Sequence, residues 1–259
     1  MMRILGLAGG AIFGICVLAQ AEAPVPGYIM QKLESGRIVT TENASISIYG
    51  VRLVDENEDA AIYRKAREFI LDSLQGQPFH LETNEFGKTG SLQNRYGDLQ
   101  GRIMTADGQW LQEILIAEGY GWWSAPPNFP PVFRQRLVMA EKQAAEQRLG
   151  LWQEFSVIDA NRPPERYWNG QFIIAKGLVR DVYRSSNATY LNFGEDWQND
   201  FTAAIPSSSR KKFERGDWKL ADLKSKSVTV RGFVRFYNGP YLELEFPEQL
   251  EIEEIVGEG

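Results

Sequence analysis

The chain has 259 residues, 43% of them apolar and 24% charged, with 28 basic and 34 acidic side chains for a formal net charge of -6. That length suits two units of roughly 120 residues, and the apolar share excludes wholesale disorder. The acidic balance argues against a protein that coats nucleic acid by phosphate neutralisation, and a single His and a single Cys exclude a His/Cys zinc site and an internal disulfide.

Residues 1–23 read as a secretory signal peptide. Arg3 supplies the basic start, Leu5 to Leu18 the apolar run, and Ala21-Glu22-Ala23 the small-x-small cleavage pattern. The run is too short and too rich in glycine for a spanning helix. The expectation is an exported protein, periplasmic or extracellular, with no membrane span after cleavage. Cys16 leaves with the leader.

Residues 24–158 form the first block. Ile46 to Val51 is strand-like. Asp55-Glu-Asn-Glu-Asp59 offers helix caps rather than a calcium loop, since it lacks the glycine and ligand spacing of one. Ile62, Ala66, Phe69, Ile70 and Leu74 repeat at helical spacing up to Gly76. Phe79 to Thr83 alternates as a strand, with His80 a packed or solvated residue rather than a catalyst. Leu111 to Gly119 and Pro131 to Gly150 give two more helices. Trp122 and Trp123 are adjacent on a strand, so they point opposite ways; one is expected to be exposed or covered by the second block.

Asp159-Ala-Asn-Arg-Pro-Pro-Glu165 marks a boundary, giving a linker at 159–167 and a second block at 168–256. Strands are expected at Phe172–Val182, Thr189–Phe193, Phe201–Ile205, Val228–Phe236 and Tyr241–Phe246, with a short helix within 207–224 and a hairpin turn at Asn238-Gly239. Five strands with a helix in that place suit a small all-β barrel of the OB type. Arg210, Lys211 and Lys212, with Tyr190 and Phe193, are candidates for binding single-stranded nucleic acid. Residues 168–256 carry 12 basic and 13 acidic side chains, so the block as a whole is not basic. Asn43-Ala-Ser45 and Asn187-Ala-Thr189 match the N-glycosylation sequon.

Asn94-Arg-Tyr-Gly97, Ala106-Asp-Gly108 with Leu111, Glu113, Leu115 and Gly119, and Ala140-Glu141 with Ala144 and Gly150-Leu-Trp152 follow one another in an order that resembles the staphylococcal nuclease (thermonuclease-like) family. The resemblance implies an α+β fold, an OB barrel with three helices, and calcium-assisted phosphodiester hydrolysis by carboxylates and arginines. The second block is similar to the OB-like tail of some secreted members.

The resemblance also assigns positions. With Ile46 to Val51 aligned without a gap, the first phosphate-clamping arginine is Ser47, the metal-binding aspartate is Arg52, and the catalytic glutamate is Asp55. An upstream metal ligand is Arg37 and the second clamping arginine is Asp98. Two metal positions are cationic and one clamp is anionic, so this register implies a disabled site with no metal and no cofactor. It also suggests that Arg52 and Asp98 pair with each other. With a two-residue gap, Arg52 becomes the clamp, Asp55 a calcium ligand and Glu58 the base, which implies an active nuclease. No partner is named by the sequence; nucleic acid or another protein are the options.

Overall fold

The computed structural model describes residues 27–34, 36–89, 92–162, 169–196, 199–214, 218–236 and 239–253. The leader, most of the linker and the Asn238 half of the expected hairpin turn lie outside these residues. Among the described residues no helix is long and apolar enough to cross a membrane.

The first block mixes short strands with helices: β1 (Tyr28–Glu34), β2 (Arg37–Thr40), β3 (Ser45–Ser47), β4 (Val51–Leu53), α1 (Ala60–Leu74), β5 (Pro78–Glu82), α2 (Asn84–Thr89), β6 (Arg102–Met104), α3 (Leu111–Ala117), β7 (Gly121–Trp123) and α4 (Pro131–Glu146). One sheet runs in the order β3-β2-β1-β5-β6, and β4 pairs with β7 alone. The strand-like stretch expected at Ile46 to Val51 is therefore two strands of different sheets. Gly50, at φ +92°, makes the break between them. Its Cα faces Phe129 so closely that an added Cβ would lie 2.7 Å from the ring.

Local chemistry sets the helices. The Asp59 carboxylate accepts from the backbone N–H groups of Ala61 and Ile62, which caps α1 at its start. The buried residues of α1 are Ile62, Ala66, Ile70 and Leu74, one stripe at a spacing of four. Helix α4 starts on a proline, whose missing N–H is no loss there. Helix α2 was not expected from the sequence. The core between sheet and helices is mainly aliphatic: Ile38, Ile46, Ile70, Leu74, Ile103, Leu111 and Leu115 are fully buried in one cluster with Phe79.

The second block is almost all strand: β9 (Phe172–Leu178), β10 (Asp181–Arg184), β11 (Ala188–Asn192), β12 (Thr202–Pro206), the short α5 (Arg210–Phe213), β13 (Ser227–Phe236), β14 (Pro240–Glu243) and β15 (Leu250–Ile252), joined on β9 by β8 (Ile158–Asp159) from the end of the first block and the start of the linker. The sheet follows β10-β11-β12-β14-β13-β9-β8, with β15 also on β13. β12 and β14 are parallel; β10–β11, β11–β12, β13–β14 and β9–β13 are antiparallel. The strand expected at Phe172–Val182 breaks into β9 and β10, which lie toward opposite ends of that path. No strand pairing among the described residues closes either sheet into a ring, and the fold is α+β.

The two blocks share an apolar surface. Val54, Ile62, Trp122, Ala144, Leu151 and Trp152 of the first block form one buried cluster with Phe172 and Ile174 of β9. Trp123 points the other way, into its own block, against Phe129 at 4.7 Å between ring centroids. Trp122 is thus the tryptophan that the second block covers, as strand alternation requires.

Candidate functional site

A parallel bridge sets the first half of the site. Ser47 N–H donates to Leu99 O at 3.0 Å and Leu99 N–H donates to Ser45 O at 2.8 Å, which lays the turn before Leu99 along β3. That turn closes on itself. Asn94 Oδ1 accepts from the N–H groups of Tyr96 and Asp98, at 2.8 and 3.0 Å. The Asp98 side chain then enters the sheet edge and is buried. It accepts from Ser45 Oγ at 2.5 Å, Asn94 Nδ2 at 2.8 Å and Arg37 Nη1 at 3.5 Å. Burial raises the Asp98 carboxyl pKa, but the hydrogen bonds from Ser45 and Asn94 and the Arg37 guanidinium outweigh it. The group titrates below its ordinary range. Ser47 lies opposite Arg37 in the β2–β3 register, and its hydroxyl donates to Leu99 O at 3.3 Å.

The second half lies on the β4–β7 ribbon. Arg52 makes a two-pronged ion pair with Glu58, at 3.0 and 2.6 Å. Glu58 also accepts from Asp55 N–H at 2.9 Å. The Asp55 carboxylate is turned to the backbone and side chain of Asn57, at 2.9 and 3.0 Å. Three rings surround the Arg52 guanidinium, with centroids 4.8 Å away at Trp122, 5.1 Å at Phe172 and 5.2 Å at Phe233. Two of those rings come from the second block.

Arg37, Ser47 and Asp98 therefore gather in one place, and Arg52, Asp55 and Glu58 in another. The suggested Arg52–Asp98 pair does not form: each charge has a different partner. The β2–β3 register carries Arg37 to Asp98, while Glu58, six residues on, reaches Arg52. Beside the Asn94 turn lies an open pocket of about 330 Å³, lined by Tyr49, Phe86, Asn94, Arg95, Gln100 and Asn128 among others. Neither Arg52, Asp55 nor Glu58 lines it. Among the described residues no group of three or more His, Cys, Asp or Glu is placed to hold a metal ion. Of the two carboxylates of the gapped register, Glu58 is engaged by the Arg52 guanidinium and Asp55 by Asn57.

The candidates in the second block divide. Phe193 is fully buried against Phe201, at 5.3 Å between centroids, so it cannot stack on a ligand. Arg210 is bound to the strand surface, donating to Thr189 Oγ1 at 3.0 Å and to Ser185 O. Lys212 lies over Phe246 and donates to Glu245 O. Lys211 is exposed. Tyr190 is half-buried and stacks on Tyr183, its β11 and β10 cross-strand partner, with rings 20° apart. Tyr183 is 59% exposed and is the more available ring of the two. His80 is half-buried, and its Nδ1 lacks a hydrogen-bond partner.

One feature of the site lay outside the candidates altogether. Glu141 of α4 and Arg231 of β13 are both buried and joined at 2.8 Å. The signal for Glu141 was in the sequence: it falls in the α4 stripe of Leu137, Ala140 and Ala144.

Residues 50–154 match the family model of staphylococcal nuclease homologues. The chain thus contains a staphylococcal nuclease-like domain. The match covers Arg52, Asp55, Glu58 and Asp98, while Arg37 and Ser47 precede its start. No curated protein matches the chain.

Proposed function

We propose that this thermonuclease-like protein is exported and carries a disabled nuclease site, so that it acts as a binding or structural module. The carrying observation is the buried Asp98 carboxylate paired with Arg37. By the family resemblance these positions hold a phosphate-clamping arginine and a metal-binding carboxylate. Here their charges are exchanged, and each repels what the other arrangement attracts. At a few ångströms a reversed charge costs on the order of several kcal/mol, which is enough to abolish binding of a phosphodiester or a divalent cation. The exchanged charges meet each other instead, Arg37 Nη1 lying 3.5 Å from Asp98.

The test is a nuclease assay on the purified protein with calcium, using DNA and RNA. No cleavage above background is expected. Calcium-dependent cleavage that disappears in Asp55→Ala/Glu58→Ala would overturn the proposal and support an active enzyme built on Arg52, Asp55 and Glu58. The clustering of those three residues is what favours that second reading.

A non-catalytic nucleic-acid role has its own support in the second block, whose strand order agrees with an OB-like module. Cross-strand pairing puts Tyr183, Tyr190, Ala204 and Glu243 in one row, and Asn192, Thr202, Tyr241 and Arg235 in the next. Both rows face away from the core residues Leu191, Ala203, Val234 and Leu242. Aromatic rings beside an arginine can stack unpaired bases. Binding of single strands that weakens in Tyr183→Ala/Arg235→Ala would establish this role; salt-independent or absent binding would remove it.

A further inference from the structure

We infer that Arg231 and Glu141 form a latch that fixes the second block onto the β4–β7 ribbon, so that the second block is the resident occupant of the face that carries Arg52. The inference goes beyond the disabled-site reading, and it is incompatible with Arg52 serving as the phosphate clamp of an active enzyme.

The latch is built from both sides. Glu141 of α4 accepts from Trp123 N–H at 2.7 Å through one oxygen and from Arg231 Nη1 at 2.8 Å through the other. Arg231 Nη1 also donates to Trp123 O at 3.0 Å. The guanidinium of the second block therefore reads the backbone of β7 and the side chain of α4 at once. Glu251 of β15 lies 3.7 Å from Arg231, and Arg134 of α4 lies 4.0 Å from Glu251, which extends the charge cluster across the same seam. Both side chains of the central pair are only 4–6% exposed. A pair this buried adds little net stability over an apolar contact, but it permits one relative placement of the two surfaces, because any slip strands a charge without solvent.

That one placement has a consequence two residues further along β13. Phe233 shares the face of Arg231, and its β9 partner Phe172 meets it edge-to-face at 5.6 Å between centroids. Both rings then stand over Arg52. Trp122, paired with Arg52 across the ribbon, completes the cage. The latch holds the Trp123 backbone and the cage includes the adjacent Trp122, so Arg231 acts on Arg52 as a positioning residue. The guanidinium that one register makes a phosphate clamp is thereby engaged by Glu58 and by three rings, and it is withheld from an external anion.

Arginine-selective labelling of the full chain with phenylglyoxal, read by peptide mass spectrometry, tests this. Arg148 is exposed and serves as the internal reference. In the unaltered protein Arg52 is expected to label at least about tenfold more slowly than Arg148, and Arg231→Met should bring its rate to within about threefold of the reference, as local opening of the seam predicts. Arg136, paired with Glu113 away from the seam, should keep its wild-type rate. Unchanged labelling of Arg52 in Arg231→Met overturns the latch. If Arg231→Met unfolds the whole chain, hydrogen exchange of the unaltered protein decides. The Trp123 amide, which donates to Glu141 itself, should exchange in the same step as the β13 amides; earlier, separate opening of β13 overturns the inference.

Discussion

Whether Asp98 is held by its ion pair or by its neutral hydrogen bonds can be decided by two substitutions. Asp98→Ala removes a buried acceptor and leaves Ser45 Oγ and Asn94 Nδ2, donors at 2.5 and 2.8 Å, with no acceptor in place. A buried donor left unsatisfied costs about 1–3 kcal/mol, and because both donors are only partly buried the lower half of that range applies to each. The expected loss is therefore about 2–4 kcal/mol. Arg37→Ala removes the third partner, but that contact is 3.5 Å long and the Arg37 side chain is 47% exposed. Exposed pairs contribute about 0–1 kcal/mol, so this variant should stay within about 1 kcal/mol of the wild type. Urea unfolding followed by tryptophan fluorescence measures both. A loss in Arg37→Ala equal to or larger than that in Asp98→Ala would refute the reasoning, since the exchanged charges and not the hydrogen bonds would then hold the turn to β3.

Further outcomes follow from the same geometry. The Asp98 carboxyl titrates below its ordinary range, so its charged form favours the folded state; the stability gap between wild type and Asp98→Asn should be constant near neutral pH, shrink below about pH 4 and vanish at lower pH, as acid titrations of unfolding would reveal. Glu141→Ala strands the buried Arg231 guanidinium and should cost about 3–5 kcal/mol by denaturant unfolding, whereas Glu141→Leu/Arg231→Leu should recover most of that loss. Gly50→Ala and Gly108→Ala both force a side chain to positive φ, but only the first meets a ring, at 2.7 Å, while nothing lies within 4 Å of the second. Thermal melts should accordingly show about 1–2 kcal/mol lost at Gly108, for backbone conformation alone, and clearly more at Gly50.

How much of this was legible depends on how local each cause is. The α1 stripe and its Asp59 cap are contained in adjacent residues, and they are visible in the sequence. Helix α2 is not, because Asn84-Glu-Phe-Gly-Lys-Thr89 is one short turn pattern with a single large apolar residue, Phe86, and a glycine inside. Strand β1 hides for another reason. Its buried residues are Met30 and Leu33, a spacing of three, because a bulge between Met30 and Lys32 breaks the alternation by which a strand is recognised. The pairing of Tyr190 with Phe193 as one binding surface fails on the same rule of two. Residues three apart on a strand face opposite ways, and Phe193 accordingly joins Leu191 in the core.

The site shows where a residue's identity stops being informative. The charges at Arg37, Arg52 and Asp98 are plain in the sequence, and they say what each position repels. Which cation meets Asp98 is a question of register. Arg37 reaches it because β2 pairs with β3 so that Arg37 lies opposite Ser47, while the Asn94 turn bridges the other edge of β3. Arg52 cannot be in the same place, because the positive φ of Gly50 has already turned the chain out of that sheet and into the ribbon with β7. A local pattern thus assigns Arg52 to Glu58, six residues on, whereas the Arg37–Asp98 contact spans 61 residues and exists only once two strands and a turn have docked. Arg231 and Glu141, 90 residues apart, are further still from anything periodicity can show. An acid in a buried helix stripe announces only that a partner must exist, since a carboxylate without one would not stay charged in that setting.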